Sequence, residues 1–148
     1  MSDVVLAREI GEYRDSGELR RGGYRIVPNT LEAFALASTI PVYFEVYNLA
    51  FDREGRTRYR VSFELESLET SSGASKFLKR LAGRYKPPRR VVSAYRLSGA
   101  SRQEPVVQNL ELRNPSPGAY RLRVLAVDEL SGSETRKERT FLLEIPSR

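Results

Sequence analysis

The 148-residue chain has no cysteine, no histidine and no tryptophan, and a single methionine. Each absence removes chemistry. Without cysteine no disulfide supports the fold. Without histidine or cysteine, the Ser-His-Asp and Cys-His nucleophile systems and zinc sites built on those ligands are excluded. No apolar run reaches the roughly 18 residues of a membrane-spanning helix, so no membrane span is expected. The opening MSDVVLAREI has no basic region followed by an apolar core and does not read as a signal peptide. That leaves a cytoplasmic protein or a fragment that starts after its targeting segment. Gly22-Gly23 is too little for a phosphate-cradling loop, and no cofactor is expected.

Acidic residues are missing from one long stretch. None occurs between Glu69 and Glu104, where Lys76, Lys79, Arg80, Arg84, Lys86, Arg89, Arg90, Arg96 and Arg102 all lie. The chain carries a net charge of +6. With those nine set aside, the remaining 16 basic and 19 acidic residues leave −3. The protein is thus a mildly acidic domain with one basic excursion, and only the excursion bears on a polyanionic partner.

What the chain does have is alternation, strongest in Pro41–Leu68. From Thr57, Tyr59, Val61, Phe63 and Leu65 fall on one side, and Arg58, Arg60, Ser62, Glu64 and Glu66 on the other. The arm before it sets Val42, Phe44 and Val46 against Tyr43, Glu45 and Tyr47. Period-two patterning of this kind predicts half-buried strands. Asp52-Arg53-Glu54-Gly55 between them predicts a tight turn, with Gly55 left-handed, and so a hairpin whose Tyr43, Glu45 and Tyr47 face is wet.

The rest of the chain reads as more strands. Asp3–Ile10 is a first strand, Tyr13–Gly23 a loop, and Tyr24–Val27 a short strand stopped by Pro28. Leu31–Ala37 fits a turn of helix or an irregular crossover equally well. Lys76–Ala82 fits a short helix ended by Gly83 and barred from continuing by Pro87-Pro88. Arg90–Leu97, Pro105–Leu112, Tyr120–Ala126 and Thr140–Ile145 are strands, the last with Phe141, Leu143 and Ile145 inward. About eight strands with turn signals between them predict one all-β domain over residues 1–148, an antiparallel immunoglobulin-like β-sandwich. The corner Asn114–Gly118 followed by Tyr120 matches the tyrosine corner of that fold, although a large core residue would look the same.

The chain also resembles a known family. PVYFEVYNLAFDREGRTRYRVSFEL resembles the segment "YFEIYNL…D…G.T.Y.V.Y.L" of the β-domain that follows the GWxTD region in bacterial GWxTD-domain proteins. Three further pieces fit in the same order. Ser2–Ala7 resembles its opening "SDLELA", Tyr24–Asn29 its "L.IVPNP", and Leu110–Leu112 with Pro117–Leu122 its "L.L..L.PG.Y.L.V.V.D", with Asp128 matching the final Asp. The GWxTD motif itself is absent, since there is no tryptophan. The resemblance implies a C-terminal module excised from a larger exported protein. Its home would be extracytoplasmic, and its partner the upstream domain of the parent or another protein. It carries over no catalytic residues.

Three groups of residues invite a chemical reading. Glu45 and Glu64, side by side on a wet hairpin face, could act as paired carboxylates on a glycoside, although alternation with Tyr, Arg and Ser is ordinary for a solvated strand. Tyr43 and Tyr47, four residues apart, could form an aromatic strip for sugars or peptides. Lys76, Lys79, Arg80, Arg84, Lys86, Arg89 and Arg90, interleaved with Phe77, Tyr85 and Tyr95, could bind nucleic acid, acidic glycan or an anionic surface. Basic residues also guard edge strands against aggregation, and the sequence leaves both readings open. Asp52, Glu54 and Asp128 lack calcium-loop spacing and read as turn residues. The expectation is a non-catalytic structural or interaction module, with polyanion binding through residues 76–96 as the alternative.

Overall fold

A computed structural model describes residues 1–12, 20–68 and 90–145. Among the described residues there are ten strands and no helix: β1 (Val5–Glu12), β2 (Arg20–Arg21), β3 (Tyr24–Pro28), β4 (Ala33–Ala35), β5 (Ile40–Val46), β6 (Thr57–Leu68), β7 (Arg90–Gly99), β8 (Glu104–Leu110), β9 (Gly118–Asp128) and β10 (Glu134–Glu144). They form two sheets facing each other as a sandwich. The first has the order β2-β3-β1-β5-β8 and the second β4-β10-β9-β6-β7. Eight strands were expected; the additional two are the shortest, β2 and β4.

Alternation builds the core. Thr57, Tyr59, Val61, Phe63 and Leu65 of β6 and Tyr120, Leu122, Val124 and Ala126 of β9 are buried, and the residues between them face outward. From the opposite sheet come Leu6, Ile40, Val42, Phe44 and Val46. Phe44 meets Phe63 edge-to-face at 6.1 Å, while Phe141 packs against Phe34 and Tyr120, both at 5.8 Å. Such aromatic pairs add about 0.5–1.5 kcal/mol beyond area burial.

The central hairpin is corrected. β5 and β6 do not pair; they lie in opposite sheets, β5 between β1 and β8, and β6 between β9 and β7. The turn at Asp52–Gly55 does form. Gly55 N–H donates to Asp52 C=O at 3.1 Å, Asp52 Oδ1 accepts from the N–H of Glu54 and Arg56, and Gly55 has φ 74°. It sits inside a longer connection, residues 47–56, that carries the chain from one sheet to the other with Leu49 buried in the core. Two strands that face each other across a core show the same alternation as two that pair edge to edge, so periodicity could not separate the cases.

The wet face of β5 is corrected too. Tyr43 is fully buried and Glu45 only 7% exposed. A second small core, Ala7, Ile26 and Tyr43 with Val5, Ile10, Tyr24 and Val107 around them, covers the outer face of the first sheet. β1 makes this possible by changing partner: Val5 and Leu6 pair with β5, then the register shifts between Ala7 and Glu9 and the rest pairs with β3. The β2–β3 turn consequently lies over β5 and β8. A Cβ on Gly22 would come within 2.7 Å of Pro105 Cβ and 2.9 Å of the Tyr43 hydroxyl.

Smaller differences follow. Residues 20–23 belong to a hairpin rather than a loop. Residues 31–37 hold β4, which runs parallel to β10, with Glu32 and Ala37 at φ 47° and 64°. Ile145 lies beyond β10 and is 70% exposed, not inward. The helix expected at 76–82 lies outside the described residues.

The two sides of the sandwich differ. On one, β10 is laced to the N-terminal strand segment and to β4. Arg139 Nε donates to Val4 C=O at 2.7 Å, Lys137 pairs with Asp3 at 3.0 Å, and Leu142 N–H donates to Glu32 C=O at 2.8 Å. On the other side β7 and β8 are the edges of their sheets among the described residues.

Candidate functional site

Glu45, Glu64, Asp52 and Asp128, four of the carboxylates singled out in the sequence, are engaged within the fold. Glu45 Oε1 accepts from the Tyr43 hydroxyl at 2.6 Å; its Oε2 accepts from the Tyr47 hydroxyl at 2.7 Å and from Gln103 Nε2 at 2.9 Å. A carboxylate this buried needs such donors, because desolvation without them is prohibitive. Glu64 lies on the outer face of the other sheet, 3.3 Å from Arg123 Nη1. Glu45 and Glu64 therefore point away from each other on opposite outsides of the sandwich, and the paired-carboxylate arrangement does not exist. Tyr43 and Tyr47 form no open strip either: both phenols turn to Glu45, and only Tyr47, 38% exposed, reaches solvent.

Asp52 and Asp128 organise turns. Burial alone pushes the Asp128 carboxyl up. The Ala50 N–H, the Ser131 hydroxyl and the N–H groups of Leu130 and Ser131 outweigh it and hold the carboxyl below the usual range. The Ala50 bond, 2.9 Å, ties the sheet-crossing connection to the end of β9. Asp52 is also held low, chiefly by the Arg56 N–H. Burial, with Glu104 nearby, pushes the Tyr59 phenol up to about 12, so it stays neutral and part of the core. The Tyr120 hydroxyl donates to Ser116 C=O at 2.9 Å and accepts from Ser116 N–H at 3.2 Å, the bonding expected of a tyrosine corner.

Of the basic excursion, Lys76, Lys79, Arg80, Arg84, Lys86 and Arg89 lie outside the described residues, and Arg90 opens β7. Further along, Arg96 stands opposite Arg60 in the β6–β7 ladder and reaches Glu129 at 3.0 Å. Arg60 and Arg136, both exposed, have no ion pair among the described residues, and Arg58 lies two positions from Arg60 on the same face. Beside this basic end the face is neutralised: Arg123 contacts Glu64, Glu66 and Glu138, and Arg121 contacts Glu66 and Glu138.

One feature eluded the sequence. Between the β7 and β8 edges a cavity of about 350 Å³ opens into the sandwich. Phe63, Leu65 and Leu122 form its floor, Ser93 and Tyr95 one wall, and Leu110 and Leu112 the other, with Asn109 and Glu111 at its mouth. Alternation marked these apolar residues as inward, but only the topology, which makes β7 and β8 adjacent edges, leaves a gap between them.

Comparison with family models, curated proteins and solved structures finds no match.

Proposed function

We propose that the chain is a non-catalytic interaction module, an immunoglobulin-like sandwich of a larger exported bacterial protein, and that it works by docking a partner along its open edge. The observation carrying this reading is the asymmetry of the sandwich. Among the described residues one side is laced by Arg139, Lys137 and the β4–β10 contacts, while the other opens a cavity of about 350 Å³ between two edge strands. Protein docking surfaces pair such an apolar anchor pocket with a polar rim. The resemblance to the β-domain of GWxTD-domain proteins supports an extracytoplasmic home and an upstream domain as neighbour. Hydrolase screens on glycosides, esters and peptides are expected to show no turnover. Turnover abolished by Glu45→Gln or Glu64→Gln would overturn the reading.

A second reading is polyanion binding. Arg60 and Arg96, directly opposite one another, favour it, because like charges so placed destabilise a sheet, and of the two only Arg96, paired with Glu129, is compensated among the described residues. Retention on heparin that persists at physiological salt, and is lost on replacing Lys79, Arg80, Arg84 and Lys86 with Gln, decides for that reading.

A further inference from the structure

We infer that β7 is an acceptor edge for an extended acidic peptide, which joins the second sheet as an added strand and drops an apolar side chain into the β7–β8 cavity. The inference rests on the module reading above and specifies its ligand.

The four sheet edges are unequal. β2 has two residues and β4 three, too few to template a strand. β8 has seven but contains Pro105, which has no N–H to donate. β7 has ten residues, no proline, and a neighbour on one side only among the described residues. Alternate N–H and C=O groups of such an edge point outward and can receive another strand. Ala94, Tyr95 and Arg96, at its centre, are exposed.

The cavity runs along the inner side of that edge. A strand added beside β7 would lie about 4.8 Å from it and turn every second side chain inward. Inward here means over Ser93 and Tyr95 and toward Leu110 and Leu112. The cavity, about 350 Å³, has room for a large aliphatic or aromatic side chain. Glu111 at its mouth disfavours an acidic side chain on that face.

Charge sets the other face. On that face β7 carries Arg96 and no acidic residue, and the strand behind it presents Arg60, exposed and without an ion pair among the described residues, with Arg58, 3.8 Å from Asp52, two positions away. A second copy of β7 would bring the same charges to the edge and be repelled. A peptide alternating acidic and apolar residues satisfies both faces at once.

The test uses the whole chain and the peptide acetyl-Glu-Val-Asp-Leu-Glu-Val-Asp-Val-Glu-amide, followed by calorimetry and amide hydrogen exchange. Binding is expected to slow exchange within Ser93–Leu97 about tenfold or more and to leave Glu104–Leu110 unchanged. Changing the Leu of the peptide to Asp, or its acidic residues to Lys, should weaken binding roughly tenfold, the loss of one buried apolar anchor or of its charge partners. Arg96→Glu should weaken it likewise, and Arg96 is a surface residue whose replacement leaves the fold intact. The inference is overturned if the β7 amides that point away from β6 are already protected in the free protein, if protection appears at β8, if the Lys peptide binds equally well, or if nothing binds at about 1 mM. Any of these without hydrolytic turnover removes strand addition alone; turnover removes the module reading itself.

Discussion

Glu45 shows how far a single side chain can depart from what its neighbours in sequence suggest. It sits among alternating residues that look solvated, yet two phenols and Gln103 close over it. Two of its donors, Tyr43 and Tyr47, belong to the same stretch, but nothing in the spacing of residues 41–47 could announce that β1 and β3 bury Tyr43 or that Gln103 arrives from the loop before β8. Tyr43→Ala should therefore cost roughly 3–5 kcal/mol, as for a buried aromatic ring, whereas Tyr47→Ala, at an exposed position, should cost far less; urea unfolding of the two variants measures the difference. Asp128 yields the second prediction at this scale. Its pKa is lower in the fold than in the unfolded chain, so it stabilises the fold above about pH 4. That contribution is lost as pH falls through the folded pKa. Asp128→Asn should remove about 1–3 kcal/mol at pH 7 and flatten the stability profile between pH 5 and pH 2 (about the range over which an Asp titrates). An unchanged profile would show that other carboxylates govern acid unfolding.

Among the elements, strands were legible and their partners were not. β6, β9 and the inward face of β5 could be read from period two, because burial on one face leaves a direct mark on residue choice. The pairing of β5 with β8 and of β4 with β10 left no such mark, since each depends on residues far away in sequence. The turn at Asp52 was legible through its own chemistry, although what it joins was not. Gly55→Val should destabilise by more than about 1 kcal/mol, because a β-branched residue is strained at φ 74°; an unchanged melting temperature would refute a left-handed Gly55. Phe44→Ala and Phe63→Ala should each cost roughly 3–5 kcal/mol. Combined, they should show a coupling of about 0.5–1.5 kcal/mol, which tests directly whether the rings meet across the core.

At the scale of the whole molecule, the cavity and the basic end belong to the same edge. Neither is a property of one strand; both follow from β7 closing the second sheet next to β8. The arrangement of β10 has a different consequence. The last strand of the described chain is not an edge: it is inserted between β4, which ends at Ala35, and β9, although it begins only at Glu134. During synthesis the chain emerges from its N-terminus, so β4 has no β10 beside it, and the Phe34 and Tyr120 rings no Phe141 between them, until β10 itself has been made. Until then β9 presents an open, strongly apolar margin. Ribosome-bound chains halted before Glu134 should accordingly remain protease-sensitive, and emergence of β10 should be followed by slow folding, in the millisecond-to-second range typical of long-range β topologies. A cell that makes this protein must shield that margin until β10 has been made.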